Sequence, residues 1–392
     1  MSKIRPLKIV SIAHSAVRND VGRHRYLPLA LRHDIELHLV VPAVWKEFNR
    51  TIVADPAKQD GLTIHVLPIR LPRMGPIGWY LHFYPGLRSL LREVKPDVIH
   101  LWEEPWSAVA LQARILKDNA ALVLEVDQNI LKRLPPPFNV IRKEVLRHTD
   151  HVLARSPEAA EVVRACGYTG AVTPIAYGVD LSTFFPSDRA RQADGTRLRV
   201  GYVGRLIEEK GIDDVLDAIA RTEAPVSLSI MGEGPYEGIL RQRTIQLGLS
   251  ERVTFKSWGE SVEVASFLRE LDVMVLLTRT TKTVREQFGR VIVEAQACGI
   301  PVIGSESGSI PSVVGKGGWI IPERDPDTLA RLLDTIAANP DLRIAAGDAA
   351  RDNVQSRFTD AVVAETLASA CFQAVAATKP AGREGLKHLR SL

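Results

Sequence analysis

Residues Glu286–Gly299 read EQFGRVIVEAQACG. Glu286 and Glu294 stand eight residues apart, with Phe288 and Gly289 between them and an apolar run leading into a turn. Val291, Ile292, Ala295 and Ala297 fall at helical spacing and predict a buried helix. Gly289 lets a ligand approach the backbone, and the first-turn amides of a helix lack intrahelical acceptors, which suits an anion. A helix rises ~12 Å over eight residues, so two carboxylates placed this way can grip opposite ends of an elongated ligand. A sugar nucleotide, with hexose, diphosphate and ribose in line, has that shape. On spacing alone, two surface glutamates on an amphipathic helix fit equally well.

The flanking sequence separates the two readings. EQFGRVIVEAQACGIPV, from Glu286 to Val302, resembles the E-x-F-G-x-x-x-x-E-A-x-A-x-G-x-P-V motif of the retaining glycosyltransferases of family 4. Upstream, YVGRLIEEKG resembles that family's G-R-x-x-x-x-K-G. Downstream, SESGSIPSVVGKGGWIIPERDP resembles its G-x-x-P-E-x-V stretch and D-P ending. The resemblance covers most of residues 195–375 closely and residues 1–185 more loosely. It implies an α/β chain of GT-B architecture, with two Rossmann-like doubly wound domains facing across a cleft.

Length and composition agree with such a plan. The chain has 392 residues, enough for two domains of about 180 residues. Its 45% hydrophobic and 24% charged content is that of a globular protein. No apolar run approaches the ~18–20 residues of a membrane span, and the opening MSKIRPLKIVSIAH reads as a first strand rather than a signal peptide. Three separated cysteines, Cys166, Cys298 and Cys371, argue against a disulfide framework or a zinc site and for reduced cytoplasmic thiols. Residues 1–190 carry 25 Lys/Arg against 19 Asp/Glu, while the remainder carries 25 against 27. A basic first half attracts anionic partners such as a phospholipid surface or a pyrophosphate-linked acceptor, although solvated surface is the ordinary explanation. The scattered basic residues, with no aromatic-interleaved patch, speak against nucleic acid.

Short β-branched runs alternate with helical stretches, as in a doubly wound parallel sheet. Strands are expected at 7–13, 35–41, 62–67, 97–101, 121–126 and 151–154, and helices at 22–32, 79–94, 105–118, 138–148 and 157–166. A second series begins near Leu198, with strands at 198–203, 226–231, 252–255, 272–277, 301–304 and 318–321. The expected domains are 1–180, for the acceptor, and 195–360, for the donor. Residues 174–195 form the hinge, 361–378 a helix that the resemblance returns to the first domain, and 379–392 a disordered tail.

Arg205 and Lys210 follow a strand in GRLIEEKG, at the carboxyl end of a parallel sheet where such folds bind ligands. Cations there can neutralise a departing diphosphate, the role the resemblance assigns them. MGEGPYEG runs one residue too long for the dinucleotide fingerprint, so it is weak evidence for that cofactor. The resemblance places Gly234 on the nucleotide side of the cleft; a tight-turn glycine without ligand contact is the competing reading. It assigns Glu294 to the donor ribose, Glu286 to the hydroxyls of the donor sugar, and the turn Phe288, Gly289, Arg290 to phosphate and sugar through backbone amides. Cys298 reads as core packing.

The first half departs from the family pattern. Its first loop, HSAVRNDVGRHRY, lacks the usual Gly-Gly pair, leaving His14 and Asn19 as candidate cleft residues. Many relatives carry a histidine near the reacting sugar after the fifth strand; EVDQNILKRLPPPF offers Asp127, Gln128 or Asn129 instead. Asp127 is the catalytic candidate among them, with a helix N-cap or turn residue as its rival role. His100 in DVIHLWEEPW aligns with a strand-end histidine of the family and reads equally as an acceptor contact or a buried, satisfied histidine.

The resemblance implies hexose transfer from a nucleoside-diphosphate sugar to a lipid-linked or saccharide hydroxyl, in cell-envelope polysaccharide or glycolipid synthesis. The resemblance implies same-face attack with retention, no protein nucleophile and no metal; no DxD pair lies at a suitable strand end. The implied location is cytoplasmic, with peripheral contact at the inner membrane face as one option. A sugar-nucleotide epimerase or hydrolase on the same fold is the alternative.

Overall fold

The computed structural model describes residues 5–18, 22–47, 50–55, 61–71, 78–187 and 197–378. The chain divides into two compact units, one running to Ile175 and resuming at Ala364, the other comprising Ala176–Val363.

The first unit carries β1 (Leu7–Ala13), β2 (Ile35–Pro42), β3 (Val44–Glu47), β4 (Arg50–Val53), β5 (Leu62–Leu67), β6 (Val98–Trp102), β7 (Ala121–Val126), β8 (His151–Ala154) and β9 (Ala171–Pro174). Seven of these form one sheet in the order β5-β2-β1-β6-β7-β8-β9, and every pairing in it is parallel. The second unit carries β10 (Leu198–Val203), β11 (Val226–Met231), β12 (Val253–Lys256), β13 (Val273–Leu276), β14 (Val302–Ser305) and β15 (Gly318–Ile321). They form a second parallel sheet in the order β12-β11-β10-β13-β14-β15. Both orders reverse beside the first strand of the sheet, which is the 3-2-1-4-5-6 pattern of the Rossmann fold. Helices cover both faces of such sheets, so central strands such as β6, β7 and β13 are buried along their whole length.

Most expected elements are present with ends shifted by a residue or two. Two helices differ for local reasons. In place of one helix over 79–94, Gly78–Leu81 and Leu87–Val94 are separate. Pro85 lies between them, and a residue before proline is pushed out of helical geometry. In place of 22–32 stand a 3₁₀ turn, His24–Tyr26, and a four-residue helix, Leu27–Ala30, with Pro28 in its first turn, where the missing amide does no harm. The antiparallel β3–β4 hairpin and the edge strand β9 were not expected; each is only four residues long, too short for a periodic pattern.

The last helix, Asp360–Thr378, is apolar enough by length and composition to cross a membrane, but Asp360, Glu365 and Gln373 interrupt it, so it holds no unbroken apolar run of span length. Within the protein it buries Val363, Ala364, Leu367, Ala368, Ala370, Cys371 and Ala374, the pattern of a core helix. From Ala364 onward it belongs to the first unit, where Glu365 pairs with Arg32. The expected tail, 379–392, lies outside the described residues, as do residues 188–195 of the expected hinge.

Candidate functional site

In the second unit, β10 and β13 are neighbours where the strand order reverses. The loops leaving their carboxyl ends carry Arg205 and Lys210 from β10, and Thr278 and Glu286 from β13. Lys210 Nζ donates to Glu286 Oε2 at 2.6 Å and to Thr278 Oγ1 at 3.3 Å, and the Thr278 hydroxyl donates to the same carboxylate oxygen at 2.7 Å. Burial alone would raise the Glu286 carboxyl pKa; the Lys210 charge and the hydrogen bonds from Lys210 and Thr278 reverse this and hold it below the ordinary value. Sequence reading thus named both partners of the pair and missed Thr278, whose type carries no signal by itself. Arg205 is exposed, and its carbonyl accepts from the Tyr202 hydroxyl at 2.8 Å.

Gly289 precedes the helix Arg290–Ala297 and sits at φ +78°, in the left-handed region. A Cβ there would lie 2.8 Å from Ile292 Cδ1 and 2.9 Å from Leu276 Cδ2, so both conformation and packing require glycine. Phe288 turns its ring inward, edge-on to Tyr177 at 5.1 Å and to Phe358 at 5.7 Å. Any role of Phe288 toward a ligand therefore falls to its backbone. Glu294 follows one turn after Arg290, 3.8 Å from its guanidinium. Burial raises the Glu294 pKa and Arg290 offsets only part of this. Gly234 approaches the β10 loop so closely that a Cβ would lie 2.2 Å from the Leu206 carbonyl oxygen. This supplies the structural reason for a glycine there, independent of any ligand. Cys298 is fully buried.

In the first unit the equivalent reversal lies between β1 and β6. His14 follows β1, and Glu103 and Glu104 follow β6. His14 Nδ1 is hydrogen-bonded to the Glu103 carboxylate, and His82 Nε2 lies 3.5 Å from the same oxygen. The sequence shows no metal-ligand spacing, yet the fold brings these two imidazoles and a carboxylate within 4.8 Å of one another. Glu104 Oε1 accepts from the backbone amides of Asp127 at 3.0 Å and Gln128 at 2.8 Å. Burial, with the Asp127 charge nearby, raises the Glu104 pKa to about 8. Gln128 and Asn129 are themselves buried.

His100 fits the second of its two expected readings. It is fully buried, with Nδ1 at 2.8 Å from Ser11 Oγ and Nε2 at 3.2 Å from Glu125 Oε2, the surroundings of a buried, satisfied histidine. Glu125 anchors the core of this unit: Arg25 grips it bidentately at 2.6 and 2.8 Å, and Arg155 pairs with it as well. Asp127 receives Arg155 Nε at 2.8 Å and Trp102 Nε1 at 3.0 Å. The N-cap half of its rival role does not hold, because the next helix begins only at Phe138; a turn role stays compatible with its place directly after β7. Asn19 lies outside the described residues.

Two Rossmann-type parallel sheets, one with a lysine–carboxylate pair at its switch point, define an α/β protein of the class that binds ligands outside the carboxyl ends of its strands. Residues 185–353 match the family described as "Glycosyl transferases group 1", and residues 29–183 match "Glycosyltransferase Family 4". The chain belongs to the family 4 glycosyltransferases, with the GT-B fold. A D-inositol 3-phosphate glycosyltransferase of Jonesia denitrificans is 28% identical over 68% of this chain and 60% of its own length. A GDP-mannose-dependent alpha-(1-6)-phosphatidylinositol monomannoside mannosyltransferase of Mycolicibacterium smegmatis is 32% identical over 52% of this chain and 58% of its own. The chain thus spans about 60% of the length of these curated relatives. A sucrose-phosphate synthase from Thermosynechococcus elongatus superimposes with a TM-score of 0.73 at 21% identity, covering 95% of this chain and 100% of that one.

Proposed function

We propose that the protein transfers a hexose from a nucleoside-diphosphate sugar to a hydroxyl acceptor, with retention at the anomeric carbon. The observation that carries this reading is the Lys210–Glu286 pair at the carboxyl edge of β10 and β13. Leaving-group departure builds negative charge on the diphosphate, and catalysis needs positive charge already in place where it develops. Lys210, Arg205 and the backbone amides at Gly289–Arg290 supply it without a metal. Glu286 binds the donor sugar, Glu294 the ribose, and the departing diphosphate accepts the acceptor proton. Asp127 is held by Arg155 and Trp102 in the first unit, which suits a fixed polar contact to the acceptor better than a mobile base.

The relatives' names support a phosphorylated or lipid-linked acceptor. The exposed face of the helix Leu87–Val94, with Arg88 and Arg92 and the adjacent Lys95, suits peripheral contact with an anionic membrane on the cytoplasmic side. The deciding experiment is turnover of a panel of nucleotide sugars with lipid and saccharide acceptors, with the product anomer read by NMR. Lys210→Ala should lower turnover more than tenfold in protein that still folds, since a charge-assisted contact is worth ~1.5–3 kcal/mol. Near-normal turnover would remove Lys210 from the site. Conversion of donor alone to a new sugar nucleotide or to free sugar, with no acceptor product, would favour an epimerase or hydrolase. Donor binding by calorimetry should be unchanged in excess EDTA; its loss there would overturn the metal-free account of the diphosphate site.

A further inference from the structure

His14, His82 and Glu103 come from three separate segments of the first unit and converge on one point, sharing no residue with the proposed donor site. We propose that they form a binding site for a divalent transition cation of the zinc type.

The His82–Glu103 spacing is close to what such an ion requires, while His14, now hydrogen-bonded directly to Glu103, would move apart from it to admit the ion. Ligand atoms around tetrahedral zinc, each about 2.0–2.1 Å from the metal, are separated by roughly 3.3 Å. His82 Nε2 and Glu103 Oε1 are 3.5 Å apart, and all three ligand atoms lie within 4.8 Å of one another. Two imidazoles with one carboxylate are a donor set for zinc and its first-row neighbours; magnesium and calcium take oxygen ligands. Three protein ligands also leave a coordination position open for an oxygen of water or substrate.

The backbone fixes the ligands beforehand. Ala13 and Trp102 are register partners across β1 and β6, so His14 and Glu103 are the next residues along two paired strands. His82 is pinned from the other side, because its neighbour Phe83 exchanges backbone hydrogen bonds with Arg70 at 3.0 and 3.4 Å. His82 and Glu103 are buried, while the His14 side chain is 30% exposed and marks the way in. Trp45 lies 4.4 Å from the His14 ring and 4.9 Å from the His82 ring, forming an apolar wall that limits water. Tyr84, edge-on to His82 at 5.9 Å, carries a buried hydroxyl with no hydrogen-bond partner among the described residues. A cation-bound water would satisfy it. The site stands beside the switch point of its sheet, where open α/β folds bind ligands.

The test is a calorimetric titration of Zn²⁺ into metal-stripped, full-length protein. One zinc per chain is expected, weakened about 100-fold or more in His82→Gln and in Glu103→Gln. Co²⁺ in the wild-type protein should give the intense visible bands of a four- or five-coordinate ion, and these should disappear in His82→Gln. Should either buried variant fail to fold, His14→Gln at the rim carries the same comparison. Nucleotide-sugar binding, measured on the same samples, should not change with zinc, which separates this site from the donor reading. A folded wild-type protein without saturable zinc binding, or variants that bind it equally well, would overturn the proposal and leave a hydrogen-bonded His–carboxylate cluster.

Discussion

Lys210 Nζ lies 2.6 Å from Glu286 Oε2, so the two charges set each other's electrostatics. Glu294, one helical turn beyond the Gly289 corner, faces only a distant and exposed Arg290. The two carboxylates should therefore fail differently. Glu286→Gln keeps the shape and removes the charge, and is expected to lower kcat strongly with little change in donor affinity by calorimetry. Glu294→Ala, assigned to a remote group bound alike in ground and transition states, should chiefly raise the donor KM. The opposite pattern would exchange their roles. Their pH dependence should differ as well. The folded-state pKa of Glu286 is lowered, so its stabilisation is present above the ordinary value, about 4.3, and is lost as pH falls through the folded value. The melting-temperature advantage of wild type over Glu286→Gln should accordingly shrink in acid. That of Glu294 is raised, so its charge costs stability at neutral pH and protonation relieves the cost as pH falls. Glu294→Gln should melt above wild type at neutral pH and converge with it in acid. Parallel pH profiles for the two variants would contradict both assignments.

At the scale of the element, the corner before the helix Arg290–Ala297 is where motif and fold meet. Gly289 must hold φ +78° while Ile292 and Leu276 crowd its α-carbon. Gly289→Ala should cost about 1–3 kcal/mol by urea denaturation, from the left-handed backbone together with the clash. A loss below half a kcal/mol would mean that the corner relaxes freely. This corner was legible in the sequence because a glycine at a fixed place in a motif has a local cause. The division of 79–94 by Pro85 had a local cause too, but the apolar period of Leu87–Val94, extended backwards, masked it. The β3–β4 hairpin had no comparable signal: its strands are four residues long and its partner contacts come from the chain folding back.

Across the molecule, the first unit depends on a buried ionic core that no motif announces. Arg25, Arg155 and His100 all converge on Glu125, and burial of that carboxylate is outweighed by the two guanidiniums, which hold its pKa well below the ordinary range. Glu125→Gln removes the buried carboxylate that holds Arg25 and leaves Arg155 to Asp127, and should cost about 3–5 kcal/mol, read as a lowered denaturation midpoint. A neutral outcome would mean that the arginines find other partners. On the outer face of the same unit, Arg88, Arg92 and Lys95 are exposed. Flotation with anionic liposomes should recover the protein at low salt, release it at high salt, and fail after the three are replaced by alanine. Equal flotation of wild type and variant would move the membrane contact elsewhere.

The two α/β halves and the family were legible in the sequence alone, which also named Lys210 and Glu286, the two side chains that the fold pairs. Parallel strands buried on both faces produce continuous apolar runs, and the second unit keeps its functional groups within a few residues of motif glycines. Only the tertiary structure decided the first unit's chemistry. It buried His100 against Ser11 and Glu125 and tied Asp127 to Arg155 and Trp102. It also brought His82 to His14 and Glu103 across wide sequence gaps. Those outcomes depend on strand order and register, which place the ends of β1 and β6 side by side although 84 residues lie between them. No local spacing encodes that adjacency.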